Sequence, residues 1–192
     1  LSDPLLNMGS GHSTASSRIL VLGIDGAGKT SFLNRYENPG GAEVDVQPTD
    51  GFLVKDVKVK GVKLNVWDVA GKEATRSLWK HYYEQGHTDA IIWVVDSADT
   101  EERLEESRNA LQGALLDPHL QGVLLCVLAN KNDLPNARNE ETLTTFFGLA
   151  GQRDLGRTAF LHTVSAKTGD GIKEAMEHLA KAVKEAASAK KE

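Results

Sequence analysis

Only one cysteine, Cys126, occurs in the 192 residues, so no internal disulfide can form. It sits in the apolar run Val123-Leu124-Leu125-Cys126-Val127-Leu128, where it reads as a small buried hydrophobe in a reducing compartment rather than a catalytic thiol. No apolar stretch approaches the roughly eighteen residues of a membrane span, and no basic-then-apolar leader is present. Surplus positive charge is also missing. The 22 Lys+Arg against 27 Asp+Glu leave a net charge of -5, which argues against a nucleic-acid partner bound by phosphate neutralisation. A local anion site stays open. The six histidines lack metal-ligand spacing, and His81 and His87 bracket a helix end, where capping or surface roles fit better. What remains, 40% hydrophobic and 26% charged, predicts one soluble cytoplasmic domain that needs no disulfide or metal to hold its core.

The first seventeen residues are rich in Ser and Gly and predict a flexible lead-in, with the domain over 18–187 and a tail over 188–192. Apolar strand-like runs follow at Arg18 to Gly23, Phe52 to Lys60, Val62 to Asp68, Ala90 to Asp96, Val123 to Ala129 and Ala159 to Val164. The second and third join at Lys60-Gly61, which predicts a hairpin. Helical patterns cover Lys29 to Tyr36, Glu101 to Leu116, Glu140 to Leu149, and Gly171 to the end, the last with Ile172, Met176, Leu179 and Val183 on one face. Strands alternating with helices predict an α/β fold: a six-stranded, mostly parallel sheet with one antiparallel hairpin strand and helices on both faces. In such sheets ligands bind beyond the carboxyl ends of the strands. The chemistry-bearing motifs fall there.

Gly23-Ile24-Asp25-Gly26-Ala27-Gly28-Lys29-Thr30 follows a strand and opens a helix, the context of a phosphate-binding loop. Its glycines let successive N–H groups from Asp25 through Ser31 converge on phosphate oxygens. The Lys29 ammonium neutralises the β- and γ-phosphates, and the Thr30 hydroxyl is placed for Mg²⁺. After the next strands come Asn130-Lys131-Asn132-Asp133 and Ser165-Ala166-Lys167. The Asp133 carboxylate can accept both donors of a guanine edge, which adenine does not offer. The Lys131 stem can lie on the ring, and the Ala166 N–H can meet the guanine O6. Asn-Lys-x-Asp alone is a weak motif; placed in order after the phosphate loop, it favours GTP and GDP over ATP.

Between these lie Pro48-Thr49-Asp50-Gly51-Phe52 and Trp67-Asp68-Val69-Ala70-Gly71-Lys72-Glu73. A loop threonine and an Asp-x-x-Gly after a strand can hold Mg²⁺ and sense a γ-phosphate whose loss releases both loops. With Leu78-Trp79-Lys80-His81-Tyr82-Tyr83, Val94-Val95-Asp96-Ser97-Ala98-Asp99 and Asn130-Lys131-Asn132-Asp133-Leu134-Pro135, the chain resembles the small GTPases of the ADP-ribosylation-factor-like (Arf-like) branch over roughly Arg18 to Val183.

That resemblance implies the three-layer phosphate-loop GTPase fold and a monomeric GTP hydrolase that switches with GTP or GDP and Mg²⁺. Thr30 and Thr49 would ligate the metal, Asp68 would hold it through a water, and the Gly71 N–H would read the γ-phosphate. Lys29, Gly71 and Lys72 would form the catalytic set, and Phe52, Trp67 and Tyr82 the effector surface. It further implies an exchange factor, an activating protein and effectors as partners. The field of action would be membrane or vesicle trafficking, or ciliary or cytoskeletal regulation, with peripheral membrane contact allowed.

Three departures from the branch carry information. Lys72 stands where a glutamine usually orients the attacking water. Lysine offers donors only, which predicts slow intrinsic hydrolysis. Two other placements stay open: an ammonium stabilising charge at the γ-phosphate, or a side chain in solvent. Asp50 replaces the usual apolar residue and charges the rim of the effector surface. The N-terminus lacks an apolar amphipathic helix, although Met8-Gly9-Ser10-Gly11-His12-Ser13 fits myristoylation of Gly9 if Met8 is the initiator. One such chain binds membrane only marginally. The rival readings are a GTP-binding scaffold without turnover, because of Lys72, and a small ATP-dependent kinase, which Asp133 and Ser165-Ala166-Lys167 oppose.

Overall fold

Six apolar runs become six strands, and because helices connect most of them, most must run parallel. The computed structural model describes residues 16–41 and 49–189. In chain order these form β1 (Ser17–Leu22), α1 (Lys29–Glu37), β2 (Phe52–Val59), β3 (Val62–Val69), α2 (Glu73–Arg76), α3 (Trp79–Glu84) and β4 (Ala90–Asp96). Then come α4 (Glu101–Leu115), β5 (Leu124–Asn130), α5 (Glu140–Phe146), β6 (Ala159–Thr163) and α6 (Ile172–Ala189). The sheet order is β2-β3-β1-β4-β5-β6, with β2–β3 antiparallel and the other pairs parallel.

Lys60 (φ 47°) and Gly61 (φ 84°) are both left-handed, the signature of a two-residue type I′ turn whose twist suits a hairpin. This turn fixes the register from Val59↔Val62 to Phe52↔Val69. Register matters here because it decides which ends of β2 and β3 meet at the site.

Alternation along the central strands sends side chains into two cores. Ile19, Val21, Ile92, Val94, Cys126 and Leu128 pack on one face against Phe32 and Leu33 of α1 and the predicted stripe Ile172, Met176, Leu179 and Val183 of α6. Leu20, Leu22, Ile91, Trp93, Val95 and Val127 pack on the other face against α3, α4 and α5 through Trp79, Tyr83, Leu104, Leu111 and Leu143. Three layers result. Cys126 lies in the first core, where burial raises its thiol pKa, as expected of an inert hydrophobe.

Some boundaries differ from the sequence reading. β1 begins at Ser17, inside the expected lead-in, because residue 17 already pairs with Leu64. α5 stops three residues before Leu149: Gly148 takes φ 64°, and the N–H groups of Gly148 and Leu149 fold back to Thr145 O and Thr144 O. The helix α6 runs two residues past the expected end of the domain at 187. α2 was not expected as a helix, and α3 only through the helix end between His81 and His87; four and six residues are too short to show an apolar period. Met8, Gly9 and the last three residues fall outside the described residues. Among the described residues no helix is long and apolar enough to cross a membrane.

Ile92 is fully buried in the middle of the sheet. Ile92→Ala should lower the unfolding free energy by about 3 kcal/mol, the usual cost of emptying such a site, as read by urea denaturation. A loss below about 1 kcal/mol would mean that the core closes over the gap.

Candidate functional site

The loop after β1 must turn sharply beneath its neighbours, and two glycines show why. A Cβ on Gly23 (φ 141°) would lie 2.4 Å from Val94 O, and one on Gly28 (φ 89°) would lie 2.3 Å from Asn130 Nδ2. Helix α1 starts at Lys29 without a side-chain cap, which leaves its first N–H groups for an anion. Asp25 and Gly26 are exposed at the loop tip, Ala27 is buried, and Ser31 is half-buried on the first turn. The Lys29 ammonium turns back into the loop and donates to Gly23 O (2.9 Å) and Ile24 O (3.0 Å). Burial lowers its pKa to about 8, against the attraction of Asp68 and Asp25.

Next to it, three oxygen-bearing side chains converge from separate elements. The Thr30 hydroxyl donates to Asp68 Oδ2 at 2.5 Å and lies 2.8 Å from the Thr49 hydroxyl. With its one proton committed to Asp68, Thr30 must accept from Thr49. Asp68 is completely buried, burial raises its carboxyl pKa, and its Oδ1 has no hydrogen-bond partner among the described residues. Two hydroxyls and a carboxylate with an unpaired buried oxygen are a hard-ligand set that suits Mg²⁺. The residues present fit the expected metal.

Gly71 closes the site. A Cβ there would lie 2.3 Å from Lys29 Nζ and 2.4 Å from Gly23 O, so the backbone approaches the lysine as no other residue could. Its carbonyl accepts from Asp25 N–H (3.1 Å) and from Arg76 Nε (2.8 Å). Trp79 Nε1 donates to Ala70 O at 2.9 Å, and its ring meets Trp93 edge-on, which ties this loop to the core. Lys72 points outward: its ammonium lies 3.2 Å from Asp50 Oδ1, with both side chains exposed. Of the placements open from sequence, this is the solvent-facing one.

Asp25 carries a negative charge into the phosphate loop. Burial alone would raise its pKa, but Arg103 and Arg76 hold the carboxyl below its ordinary value. Arg103 donates to Asp25 O (2.7 Å), Arg76 reaches Asp25 Oδ1 (3.1 Å), and Glu106 pairs with both guanidiniums at 2.6 Å. Sequence reasoning missed these arginines. The available signal was an acidic residue inside a polyanion loop, which calls for cationic neighbours.

The second cluster forms at the ends of β5 and β6. Asn130 is buried and bonds twice to backbone: Nδ2 donates to Ala27 O (2.8 Å) and Oδ1 accepts from Ala166 N–H (2.9 Å). The donor expected to be free for guanine O6 is therefore paired within the protein, and contact with a base requires it to be shared. Asp133 is exposed, and its Oδ1 accepts from the buried Ser165 hydroxyl at 2.7 Å. Lys131 holds φ 63°, with its ammonium 2.6 Å from Asp96 Oδ2. Lys167 is exposed, and its carbonyl, like that of Ala166, accepts from Arg35 of α1, another residue the sequence did not flag.

Phe52, Trp67 and Tyr82 come together as expected. Phe52 stacks on Trp67 at 5.1 Å and meets Tyr82 edge-on at 5.4 Å, while Phe52 stays 45% exposed. Arg18 supports Trp67 from below, its guanidinium 4.5 Å from the ring centroid.

The family model described as ADP-ribosylation factor family matches residues 5–183. The chain belongs to the ADP-ribosylation factor family. It is 40% identical over 168 residues to ADP-ribosylation factor-like protein alp41 of Schizosaccharomyces pombe, covering 88% of this chain and 87% of that protein. Its fold is similar to that of the Arl6 BBS3 small GTPase from Trypanosoma brucei, solved with the nucleotide analogue GppNp. The TM-score is 0.75 at 24% identity, over 89% of this chain and 99% of that one. Arf-family proteins are small GTPases that bind GTP or GDP with Mg²⁺, and this chain is one of them.

The depressed Lys29 pKa has a definite sign. In the unfolded chain Lys29 stays protonated to about 10.5, so between about pH 8 and 10.5 the unfolded state binds more protons and stability rises with pH. Nucleotide-free protein should therefore gain stability from pH 7.5 to 9.5 relative to Lys29→Met, followed by urea unfolding. Parallel pH profiles for the two proteins would refute the assignment.

Proposed function

We propose that this Arf-family chain is a guanine-nucleotide switch that hydrolyses GTP slowly and, in its GTP form, presents Phe52, Trp67 and Tyr82 to protein effectors. The convergence of Thr30, Thr49 and Asp68 beside Lys29 and Gly71 carries this reading. It brings two loops to one place where a γ-phosphate and its metal would engage both.

The residues take the following parts. N–H groups of Asp25 through Ser31 wrap the phosphates, and the Lys29 ammonium exchanges its two carbonyl acceptors for phosphate oxygens. Thr30 and Thr49 would hold Mg²⁺, and Asp68 would act on it through a water. The bound metal would supply positive charge to the β- and γ-phosphate oxygens. The Gly71 N–H donates to the γ-phosphate. When that phosphate leaves, Thr49 and Gly71 lose their shared partner and the loops separate. Asp133 selects guanine, Lys131 lies along the ring, and Asn130, Ser165, Ala166 and Lys167 shape the pocket. Lys72 can donate but not accept, so it cannot orient an attacking water as a glutamine does. An activating protein, an exchange factor and effectors complete the cycle. The setting is cytoplasmic, with peripheral contact at membranes, in vesicle trafficking or in ciliary or cytoskeletal regulation. Gly9 is a candidate acylation site.

A second reading, a GTP-binding scaffold without turnover, draws support from the outward placement of Lys72 against Asp50.

Single-turnover phosphate release separates the readings. Slow but measurable release from the unmodified chain, rising about tenfold or more in Lys72→Gln, is expected, since positioning of the water is worth at least that much. Equal rates for the unmodified chain and Lys72→Gln, both without and with an activating protein, would overturn the role given to Lys72. No release from the unmodified chain would favour the scaffold. Excess ATP should fail to displace labelled GTP.

A further inference from the structure

Two residues that depart from the Arf-like pattern, Asp50 and Lys72, come from different loops and meet: Lys72 Nζ donates to Asp50 Oδ1 at 3.2 Å. Each alone would leave an uncompensated charge where two loops must approach. Together they cancel. Their position is also particular. The β2–β3 ladder runs from Val59↔Val62 to Phe52↔Val69, is extended by Ala70 N–H to Gly51 O at 2.9 Å, and continues into the Asp50–Lys72 contact. Asp50 directly follows Thr49, which bonds Thr30, and Lys72 directly follows Gly71, which packs on Lys29.

We propose that Asp50 and Lys72 form a clasp that prolongs the hairpin into both nucleotide-sensing loops, with Asp50 the positioning residue that keeps the Lys72 ammonium on the solvent side. The clasp rests on the reading of these loops as switches. It makes their movements interdependent: release of Thr49 pulls Asp50 from Lys72, and release of Gly71 does the reverse. Both side chains are exposed (50% for Lys72, 91% for Asp50), so the pair is solvent-screened and biases the loops without locking them. That is what a switch requires, since a strong clasp would hold the loops together after the γ-phosphate is gone.

A double-mutant cycle on the full chain tests this with Asp50→Asn, Lys72→Gln, both together, and the charge reversal Asp50→Lys with Lys72→Asp. The first readout, amide hydrogen exchange of Ala70 in nucleotide-free protein, needs no ligand. The second is the dissociation rate of a fluorescent, non-hydrolysable GTP analogue with Mg²⁺. Each single variant should speed both by about two- to fivefold, the double variant should be no faster than the singles, and the reversal should restore the original rates. At about 0.5 M salt the differences should close. Additive effects, silence of Asp50→Asn, or failure of the reversal to restore Ala70 exchange would overturn the clasp. If Ala70 follows the expected pattern while the analogue does not bind, the clasp stands and the nucleotide reading falls. If the analogue binds and Ala70 is insensitive, the clasp falls and the nucleotide reading stands.

Discussion

The side chain of Asn130 lies buried at the end of β5 and bonds to backbone at both ends, to Ala27 O in the phosphate loop and to Ala166 N–H in the turn after β6. Its own carbonyl takes the N–H and the hydroxyl of Ser97 at the end of β4. One residue thus ties the ends of β1, β4 and β6 to that of β5. Each bond is worth only about 1 kcal/mol net, but a buried group left unpaired costs about 1–3 kcal/mol. The loops therefore hold one arrangement. The requirement for glycine at position 28 is the same constraint seen from the other side, because Asn130 Nδ2 occupies the space a Cβ would need.

A rigid frame of this kind lets an acidic protein hold a polyanion. The net charge is -5, and the loop tip itself carries Asp25. Attraction at the site comes from a helix N-terminus without a side-chain cap and from Lys29, whose ammonium is desolvated and, among the described residues, bonded to two carbonyls. A phosphate oxygen is a better partner than a neutral carbonyl, so the burial that lowers the Lys29 pKa also prepares it for a charged ligand. Arg76 and Arg103 neutralise Asp25 from outside the loop. Bulk charge reports none of this, since the arrangement is local and mostly backbone.

Most of the frame was legible in the sequence because it depends on local pattern. All six strands follow from apolar runs, the hairpin from Lys60-Gly61, and the α6 stripe from its period. The glycine loop, Thr30, Asp68 and Asp133 stand out in the sequence because spacing and position after a strand suit them to that chemistry. What escaped depends on distance across the fold. Arg76 and Arg103 reach Asp25 only because β3 and β4 flank β1, and Arg35 reaches Ala166 over 131 positions. The double bonding of Asn130 was hidden for the same reason, which is why its motif reads as base recognition while the side chain spends itself on backbone. The Asp50–Lys72 contact joins two residues that sequence alone could treat only as separate departures.

The loops that carry Thr49 and Gly71 are not held as the frame is. Gly71 is tied through Arg76 and Asp25, and Ala70 through Trp79 and Gly51, each by single hydrogen bonds. Thr49 bonds Thr30, whose own proton goes to a buried carboxylate with an orphaned oxygen. Such bonds are worth about 1 kcal/mol apiece, and the unpaired Asp68 oxygen costs a comparable amount, so neither loop gains much from closing by itself. A ligand that satisfies Asp68, Thr30, Thr49 and the Gly71 N–H together can therefore decide the balance. The sequence spends its strong contacts on strands and on Asn130 and its weak ones on the two loops. That division leaves the two weakly held loops beside Lys29 and the glycine loop, against a sheet held by many stronger contacts.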